Sequence, residues 1–298
     1  MKDARTEMPA DQVSGPKRKV WTGALFINAC LTLHAVLVYA FLFLPILVIV
    51  AYSFNSGRLM LVWQGFSLAP YWRAFSNAQM TESVATSLKV AGIAATIATV
   101  LGSLAGLYLA RHPGWGSRLF VILISIVLVT PEIVNAIALL PWFVFLGVDA
   151  GMSVFSQGLV RLAIGHAILP TALVAFIVKS RMSGLNANLE EAAADLYATS
   201  FQGFHQITIP VMLPAIVAGA LLAATTSLDN VIISSFVSVQ GSSPWPVFVF
   251  GSLRSGMRPE IAALSTVMFA LMIVALLIAM LVLRRGAESG GGRPPPNN

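Results

Sequence analysis

Charged residues are scarce in this chain of 298 residues. Only 10% of the residues are Asp, Glu, Lys or Arg, whereas 57% are hydrophobic and the mean hydropathy is +0.83. Soluble globular domains carry about 25% charged residues, so the composition excludes a disordered protein and almost any water-soluble enzyme domain. Cysteine is nearly absent too, and Cys30 alone excludes an internal disulfide framework and a multi-thiolate metal site.

The sequence also lacks the short motifs of nucleotide-binding proteins and hydrolases. A P-loop requires Gly-Lys-Ser or Gly-Lys-Thr, and no lysine in this chain follows a glycine. Neither G-x-S-x-G nor H-E-x-x-H occurs, and the 4 histidines are scattered over different segments. We therefore expect no nucleotide, metal or catalytic site on this chain, which argues against a membrane-embedded hydrolase.

Long stretches with few or no charges make up most of the chain. A bilayer core about 30 Å thick is crossed by roughly 20 apolar residues of helix, and the sequence offers six such stretches. We therefore predict an all-α membrane protein with six transmembrane helices. Their approximate positions are 31–53, 90–110, 119–148, 162–178, 214–238 and 261–283.

Lysine and arginine are concentrated at both ends of the chain. Because cytoplasmic segments of membrane proteins are enriched in these residues, we expect both termini in the cytoplasm and the protein in the cell (inner) membrane. The same rule accounts for the net charge of +6 and the pI near 9.8 without a nucleic-acid partner. The predicted organisation is an N-terminal tail with an interfacial lead-in (1–30), a transmembrane domain (31–283) and a flexible C-terminal tail (284–298).

The segment 179–213, between the fourth and fifth predicted spans, is too polar to insert into a bilayer. Asn188 with Glu191, and Thr199 with Gln202, have the spacing of helix capping boxes. The segment is therefore predicted to be a structured cytoplasmic loop rather than a slack connection.

Two short helices are predicted in this loop, at roughly 189–197 and 200–207. Pro210 and Pro214 are expected to end the second helix and to start the fifth span. Paired helices that protrude from a membrane domain can dock a partner, because small residues permit close approach and acids attract basic groups. The pattern is also compatible with a purely structural role, in which the acids cap a helix and the alanines propagate it.

The run Glu191-Ala192-Ala193, followed by Ile207-Thr208-Ile209-Pro210, resembles the EAA motif of permease subunits in binding-protein-dependent ABC importers of the MetI-like fold. The family pattern has Gly where this chain has Tyr197, and Leu where it has Ile209. Because a positive φ is costly for Tyr, we expect the turn between the two helices to be tighter or helical here. The resemblance assigns contact with an ATPase to Glu190, Glu191, Ala192, Ala193, Asp195, Tyr197, Phe201, Phe204, Ile207 and Pro210.

Further motifs resemble the polyamine-importer branch of this family and extend the resemblance over roughly 31–283. They are Tyr52-Ser53-Phe54-Asn55, Trp63-Gln64-Gly65-Phe66-Ser67, Ser227-Leu228-Asp229-Asn230, Phe236-Val237-Ser238 and Arg258-Pro259-Glu260-Ile261. The branch typically has Asp-Asp where this chain has Asp229-Asn230. The resemblance implies a type I importer permease for putrescine-like or spermidine-like cations, without enzymatic activity of its own.

The same resemblance implies several partners. They are two ATPase subunits, which would carry the ATP and Mg, a second and related permease, an extracytoplasmic solute-binding protein and the lipid bilayer. Closure of the ATPase pair would move the docked loop and tilt the spans. The resemblance leaves open which polyamine is carried, and whether the cargo is instead another amine or an opine-like solute. It also leaves open whether the second permease is identical to this chain or a different protein.

Two acidic residues fall inside predicted spans, Glu132 in the third and Asp229 in the fifth. A charged side chain costs about 2.5–3.5 kcal/mol at mid-bilayer on the insertion scale, so such residues normally face a cavity or a partner charge. With Asn135 and Asn230 as hydrogen-bonding neighbours, they are predicted to line the pathway of a cationic cargo. An internal hydrogen bond between helices, or a position near the membrane surface, is the alternative.

Small residues and prolines predict how the spans pack and bend. Gly102 and Gly106 form a GxxxG pair, which favours helix packing within one subunit over a seam between subunits. Pro131 and Pro141 predict a broken or kinked third span. His166 is assigned to packing rather than to chemistry.

A secondary transporter or channel is the main alternative from a different functional class. Such a protein would need internal repeats or several buried titratable residues for ion coupling. The sequence has two acids inside its spans and no evident repeat, which favours the importer permease.

Overall fold

The computed structural model describes the backbone of residues 22–184, 192–193 and 195–290, and the side chains of residues 27–281 within these ranges. Over this part of the chain most of the backbone is helical. No β-strand occurs in it, apart from an isolated antiparallel bridge between Asn55 and Phe66.

The chain divides into two compact units, Met1–Ala51 and Tyr52–Asn298. In the first unit the described residues belong to α1, whose stretch Ile27–Tyr52 has a mean hydropathy of 2.7. The α-helices, numbered in chain order, are α1 (Thr22–Tyr52), α2 (Ala69–Ser76), α3 (Ala78–Arg111), α4 (Trp115–Val129), α5 (Glu132–Val144), α6 (Gly158–Ser183), α7 (Ser200–Gly203), α8 (Ile209–Leu228), α9 (Ile232–Val237), α10 (Trp245–Ser252) and α11 (Pro259–Gly290).

Within the described ranges, six helical stretches are long and apolar enough to cross a bilayer, which confirms the predicted all-α fold with six spans. A shorter apolar helix, α4, has 15 residues and precedes the third of them. The six stretches are Ile27–Tyr52, Ala78–Arg111, Glu132–Asp149, Gly158–Ser183, Ser200–Leu228 and Pro259–Leu281.

The predicted third span, 119–148, is divided between two helices, and the membrane-spanning stretch is only Glu132–Asp149, so the predicted bounds are wrong. Thr130 and Pro131 separate α4 from α5, and Thr130 has an extended backbone with ψ of 126°. Proline explains this break, because it has no N–H to donate and disfavours the helical conformation of the residue before it. The break predicted at Pro131 is therefore confirmed, whereas Pro141 lies inside α5, which widens into a π-helical turn only at Phe145–Asp149.

The predicted boundaries of the fifth span, 214–238, are also wrong. One helical stretch runs over Ser200–Leu228, and Pro210 and Pro214 lie inside it rather than ending a separate short helix. A π-helical turn over Phe204–Thr208 comes directly before Pro210 and changes the hydrogen-bond spacing there. Pro210 then stands in the first turn of α8, where the missing N–H is tolerated.

Helices α3, α6 and α8 pack together at the centre of the second unit. A Cβ on Gly102 would lie 2.6 Å from the Cβ of Val174, and a Cβ on Gly106 would lie 2.5 Å from the carbonyl oxygen of Ala175. Both glycines thus let α3 and α6 approach at backbone distance. The predicted role of the GxxxG pair in packing within one subunit is confirmed.

Candidate functional site

Two interruptions of the helices lie next to each other. One is Thr130–Pro131, before α5, and the other is Asp229–Val231, between α8 and α9, which we call the α8–α9 break. The Asn230 side chain donates from Nδ2 to Oε1 of Glu132 at 2.5 Å, while its Oδ1 accepts from the backbone N–H of Ile233 at 3.0 Å. Because one amide group caps α9 and also binds the first residue of α5, it fixes the α8–α9 break against α5.

Two neighbouring cavities lie beside the break and share part of their lining. The smaller, of about 200 Å³, is lined in part by Glu132 and Asn135, and the larger, of about 370 Å³, in part by Glu132, Asp229 and Asn230. The structure therefore brings together all four residues that the sequence assigned to a cargo pathway. Their role in transport stays a prediction.

The two acidic side chains meet opposite ends of helices. Glu132 is half-buried in the first turn of α5, where the partial positive charge of a helix N-terminus stabilises a carboxylate. Asp229 follows the last residue of α8, where the partial charge is negative, and it is exposed. The expectation of a buried acid inside the fifth span is therefore wrong for Asp229, because the helix ends before it.

The hydrogen bond between Glu132 and Asn230 is the internal contact between helices that the sequence left as an alternative. It leaves the carboxyl group at the wall of both cavities. Among the described residues that line these cavities, none is Lys or Arg. The described lining therefore carries two carboxylates, with the N-terminus of α5 beside Glu132, the C-terminus of α8 beside Asp229 and the His166 ring in the larger cavity. With two acidic side chains and no lysine or arginine, this lining favours a cation.

Three polar residues hold the α8–α9 break through contacts that were not predicted from the sequence. His166, which was assigned to packing, lies in α6 with Nδ1 2.8 Å from Oγ of Ser227 and Nε2 2.8 Å from Oγ of Ser234. All three side chains are buried, and the two serines stand on opposite sides of the break. A histidine within an apolar span, together with serines flanking a break, was the available signal, but only packing shows that they meet.

The first predicted helix of the 179–213 segment is described only in part. Glu190 and Glu191 lie outside the described residues, as does the predicted capping box that includes Glu191. Ala192, Ala193 and Asp195 are helical, as predicted.

Tyr197 ends this helix in the left-handed conformation, with φ of 61°. The expectation of a tighter or helical turn is therefore wrong. The N–H of Ala198 donates to the carbonyl of Ala193 at 3.0 Å, which is the characteristic hydrogen bond of a Schellman motif with Tyr197 at the position usually held by Gly. Tyr197 is 96% exposed, so its side chain is not crowded by the part of the chain that the structure describes. The left-handed conformation itself costs about 1–2 kcal/mol for a residue with a Cβ.

The second predicted helix begins with the expected capping box. The N–H of Thr199 donates to Oε1 of Gln202 at 2.8 Å, and the N–H of Gln202 donates to Oγ1 of Thr199 at 3.3 Å. This reciprocal pair satisfies two N–H groups that a helix N-terminus leaves without partners. The prediction from the Thr199 and Gln202 spacing is confirmed.

Large apolar side chains of the segment face outward. Leu196 is 81% exposed and Phe201 is 74% exposed, next to the almost fully exposed Tyr197. Phe204 and Ile207 are half-buried. We call Leu196, Tyr197 and Phe201 the exposed apolar group.

The segment is anchored to the ends of two spans. Arg111, the last residue of α3, donates from Nη2 to Oγ1 of Thr208 at 2.8 Å, and Arg181 of α6 donates from Nε to the carbonyl of Val211 at 3.2 Å. A cavity of about 310 Å³ lies between Arg111 and the start of α7. The helical stretch Ser200–Leu228 thus joins this anchored segment at one end to the α8–α9 break at the other.

Comparison with known proteins places these features in a family. Residues 98–287 match the family described as binding-protein-dependent transport system inner membrane component. The chain is 40% identical over 231 residues to the putrescine transport system permease protein PotI of Escherichia coli strain K12, covering 77% of this chain and 82% of that protein. It is 35% identical over 248 residues to the spermidine/putrescine transport system permease protein PotC of Haemophilus influenzae, covering 83% and 94%.

The fold also matches a solved transporter structure. A chain in the crystal structure of a bacterial alginate ABC transporter, in complex with an alginate pentasaccharide-bound periplasmic protein, aligns with a TM-score of 0.68 at 15% identity, covering 88% of this chain and 95% of that chain. The family match, these relatives and the six spans show that the chain belongs to the binding-protein-dependent inner membrane components, the permease subunits of ABC importers.

Proposed function

We propose that this chain forms the translocation pathway of a polyamine importer that is driven by ATP hydrolysis on separate subunits. The observation that carries the proposal is the convergence of Glu132, Asn135, Asp229 and Asn230 on two adjoining cavities. Two relatives at 35–40% identity are named for putrescine and spermidine transport. Protonated amines pair with carboxylates and donate hydrogen bonds to amide oxygens, and this set of side chains supplies both.

Coupling to the ATPase subunits is proposed to run through the 179–213 segment. The exposed apolar group is suited to a protein partner, because large apolar side chains rarely cluster in the open outside a membrane. The 29-residue stretch Ser200–Leu228 extends for about 43 Å at 1.5 Å per residue and leads directly to the α8–α9 break. If the ATPase subunits tilted this helical stretch at the 179–213 segment, the tilt would therefore move the residues of the α8–α9 break that line the cavity, because the stretch is helical between the two.

The remaining partners follow from this assembly. We propose two ATPase subunits that carry the ATP and Mg, a second permease related to this chain, and a solute-binding protein outside the membrane. We propose that both termini and the 179–213 segment lie on the cytoplasmic side, because that topology puts most lysines and arginines inside.

Uptake by the reconstituted assembly tests the pathway. Asp229→Asn and Glu132→Gln are expected to lower the rate of labelled putrescine and spermidine uptake by roughly 10- to 100-fold, since a hydrogen bond to a charged group is worth about 1.5–3 kcal/mol. Glu82→Gln, at an exposed acid of α3 that lines neither cavity, is the matched control and is expected to transport normally.

A panel of other amines and opine-like solutes in the same vesicles identifies the cargo class. Unchanged uptake in both cavity variants would contradict the pathway, and preference for a cargo without two cationic groups would contradict the polyamine assignment. Uptake driven by an ion gradient without ATP would favour a secondary transporter.

A further inference from the structure

The hydrogen bonds around His166 have a defined direction. Ser234 has one hydroxyl hydrogen, which it donates to the carbonyl oxygen of Asn230 at 2.6 Å. The Ser234 oxygen must then accept from Nε2 of His166, so the ring carries a hydrogen at Nε2. In a neutral imidazole the other nitrogen accepts, so Ser227 donates to Nδ1. Donation therefore runs from Ser227 through His166 and Ser234 to the backbone of Asn230.

This relay joins both sides of the α8–α9 break to a third helix. Ser227 stands in the last turn of α8, Ser234 stands in α9, and His166 belongs to α6. The residue at the end of the relay, Asn230, is the one whose side chain binds Glu132. The imidazole is therefore two hydrogen bonds away from the amide that holds a cavity carboxylate.

A second, independent feature brings α6 close enough for this contact. Gly165, next to His166, packs so tightly on α9 that a Cβ would lie 2.7 Å from Cγ2 of Ile233. Ile233 is also the residue whose N–H is capped by Asn230. A larger residue at Gly165 would push α9 away from the imidazole, so the close approach and the relay belong to one arrangement.

We infer that His166 is a positioning residue for transport, which goes beyond the pathway proposed above and rests on it. By joining Ser227 to Ser234, it holds the α8–α9 break in the conformation in which Asn230 reaches Glu132. Asp229 belongs to the same break, so His166 sets the spacing between the two carboxylates that face the cavities. His166 also lines the larger cavity, but in this role it acts through Asn230 and not by contact with the cargo.

Uptake by the complete assembly in vesicles, normalised to the amount of assembled complex, tests this role. His166→Ala is expected to lower putrescine uptake on the order of tenfold, because it breaks two buried hydrogen bonds. His166→Gln keeps one donor and one acceptor and is expected to recover uptake to within about threefold of the native rate. Equal losses in both variants would contradict positioning through hydrogen bonds.

A double-variant cycle separates positioning from general stability. If His166 acts through Asn230, His166→Ala is expected to cause no further loss when Asn230→Ala is already present. Losses that multiply would overturn the inference, because they would mean that His166 acts by another route.

A neighbouring pair of serines provides a matched comparison. Ser234→Ala removes the link to both His166 and Asn230, whereas Ser235→Ala removes only a hydroxyl that donates to the Val231 carbonyl. The first is expected to lower uptake as far as His166→Ala does, and the second to leave it unchanged. If the His166→Ala permease does not assemble with its partner subunits, uptake by Ser234→Ala tests the positioning role in its place.

Different uptake results would contradict the positioning role of His166 and the proposed pathway. Reduced uptake in Asp229→Asn and Glu132→Gln with normal uptake in His166→Ala would overturn the positioning role alone, whereas normal uptake in all three would overturn the pathway itself. Nitrogen-15 NMR of histidine-labelled complex in bilayers is independent of cargo. It is expected to find His166 neutral with its hydrogen on Nε2, and a hydrogen on Nδ1 alone would overturn the relay.

Discussion

The two ends of α8 differ in which kind of side chain is buried and which is exposed. At its C-terminal end, polar side chains are buried and bonded to one another, as His166, Ser227 and Ser234 show. On the N-terminal side of α8, large apolar side chains such as Tyr197, before α7, and Phe201, within α7, are exposed. A buried polar group is costly unless it is paired, so the first end is completed within this chain. The second end presents the surface that a partner protein would bury.

This contrast predicts that substitutions at the two ends separate transport from assembly. A change at the α8–α9 break is expected to lower stability and uptake while the ATPase subunits still bind. A change in the exposed apolar group is expected to release the ATPase while the permease stays folded. Three substitutions test this separation, from the largest effect to the smallest.

Gly165→Ala is expected to have the largest effect. Its Cβ would lie 2.7 Å from Ile233, and overpacking of this kind costs about 1–3 kcal/mol. Thermal unfolding of the purified complex is expected to shift to lower temperature and uptake to fall, with the ATPase still bound. Gly92→Ala is the control, because no heavy atom lies within 4 Å of its Cβ position. Equal shifts in both variants would contradict the close packing of α6 on α9.

Phe201→Ala tests the other end. If Phe201 is buried by an ATPase subunit, truncation is expected to cost about 2 kcal/mol of association, or roughly 30-fold in affinity. Co-purification of the ATPase with the permease measures this loss, while the unfolding temperature of the permease stays the same. Phe250→Ala removes a similarly exposed phenyl ring from α10 and is expected to retain the ATPase. Full retention by Phe201→Ala would remove the partner surface proposed for this segment.

Tyr197→Gly is expected to have the smallest effect on stability. Glycine relieves a left-handed conformation that costs about 1–2 kcal/mol, but it also gives the unfolded chain more freedom, worth about 0.5–1 kcal/mol. The net gain is therefore expected to lie between about 0 and 1.5 kcal/mol, measured by thermal unfolding. Weaker co-purification of the ATPase in the same variant would assign the tyrosine to partner contact, whereas a loss of stability would contradict its left-handed conformation.

Local patterns predicted the features that depend on neighbours in sequence. The break at Pro131 follows from the chemistry of one proline, and the capping box follows from Thr199 and Gln202, three residues apart. The length of the fifth span was wrong because the π-helical turn at Phe204–Thr208 lets the helix continue through Pro210. Tyr197 was misjudged because a Schellman hydrogen bond outweighed the preference of tyrosine for negative φ.

The sequence by itself determined that this is a six-span helical membrane protein with an EAA-like segment. The length of the apolar stretches, the distribution of charged residues and the spacing of the motif depend only on the order of residues along the chain. Only the tertiary structure decided that Asn230 binds Glu132, 98 positions away, and that His166 joins Ser227 to Ser234. These contacts depend on which helices pack together and at what distance. Glycines such as Gly165 allow a short distance between helices because they have no side chain. Only the tertiary structure shows which helix packs against each of them.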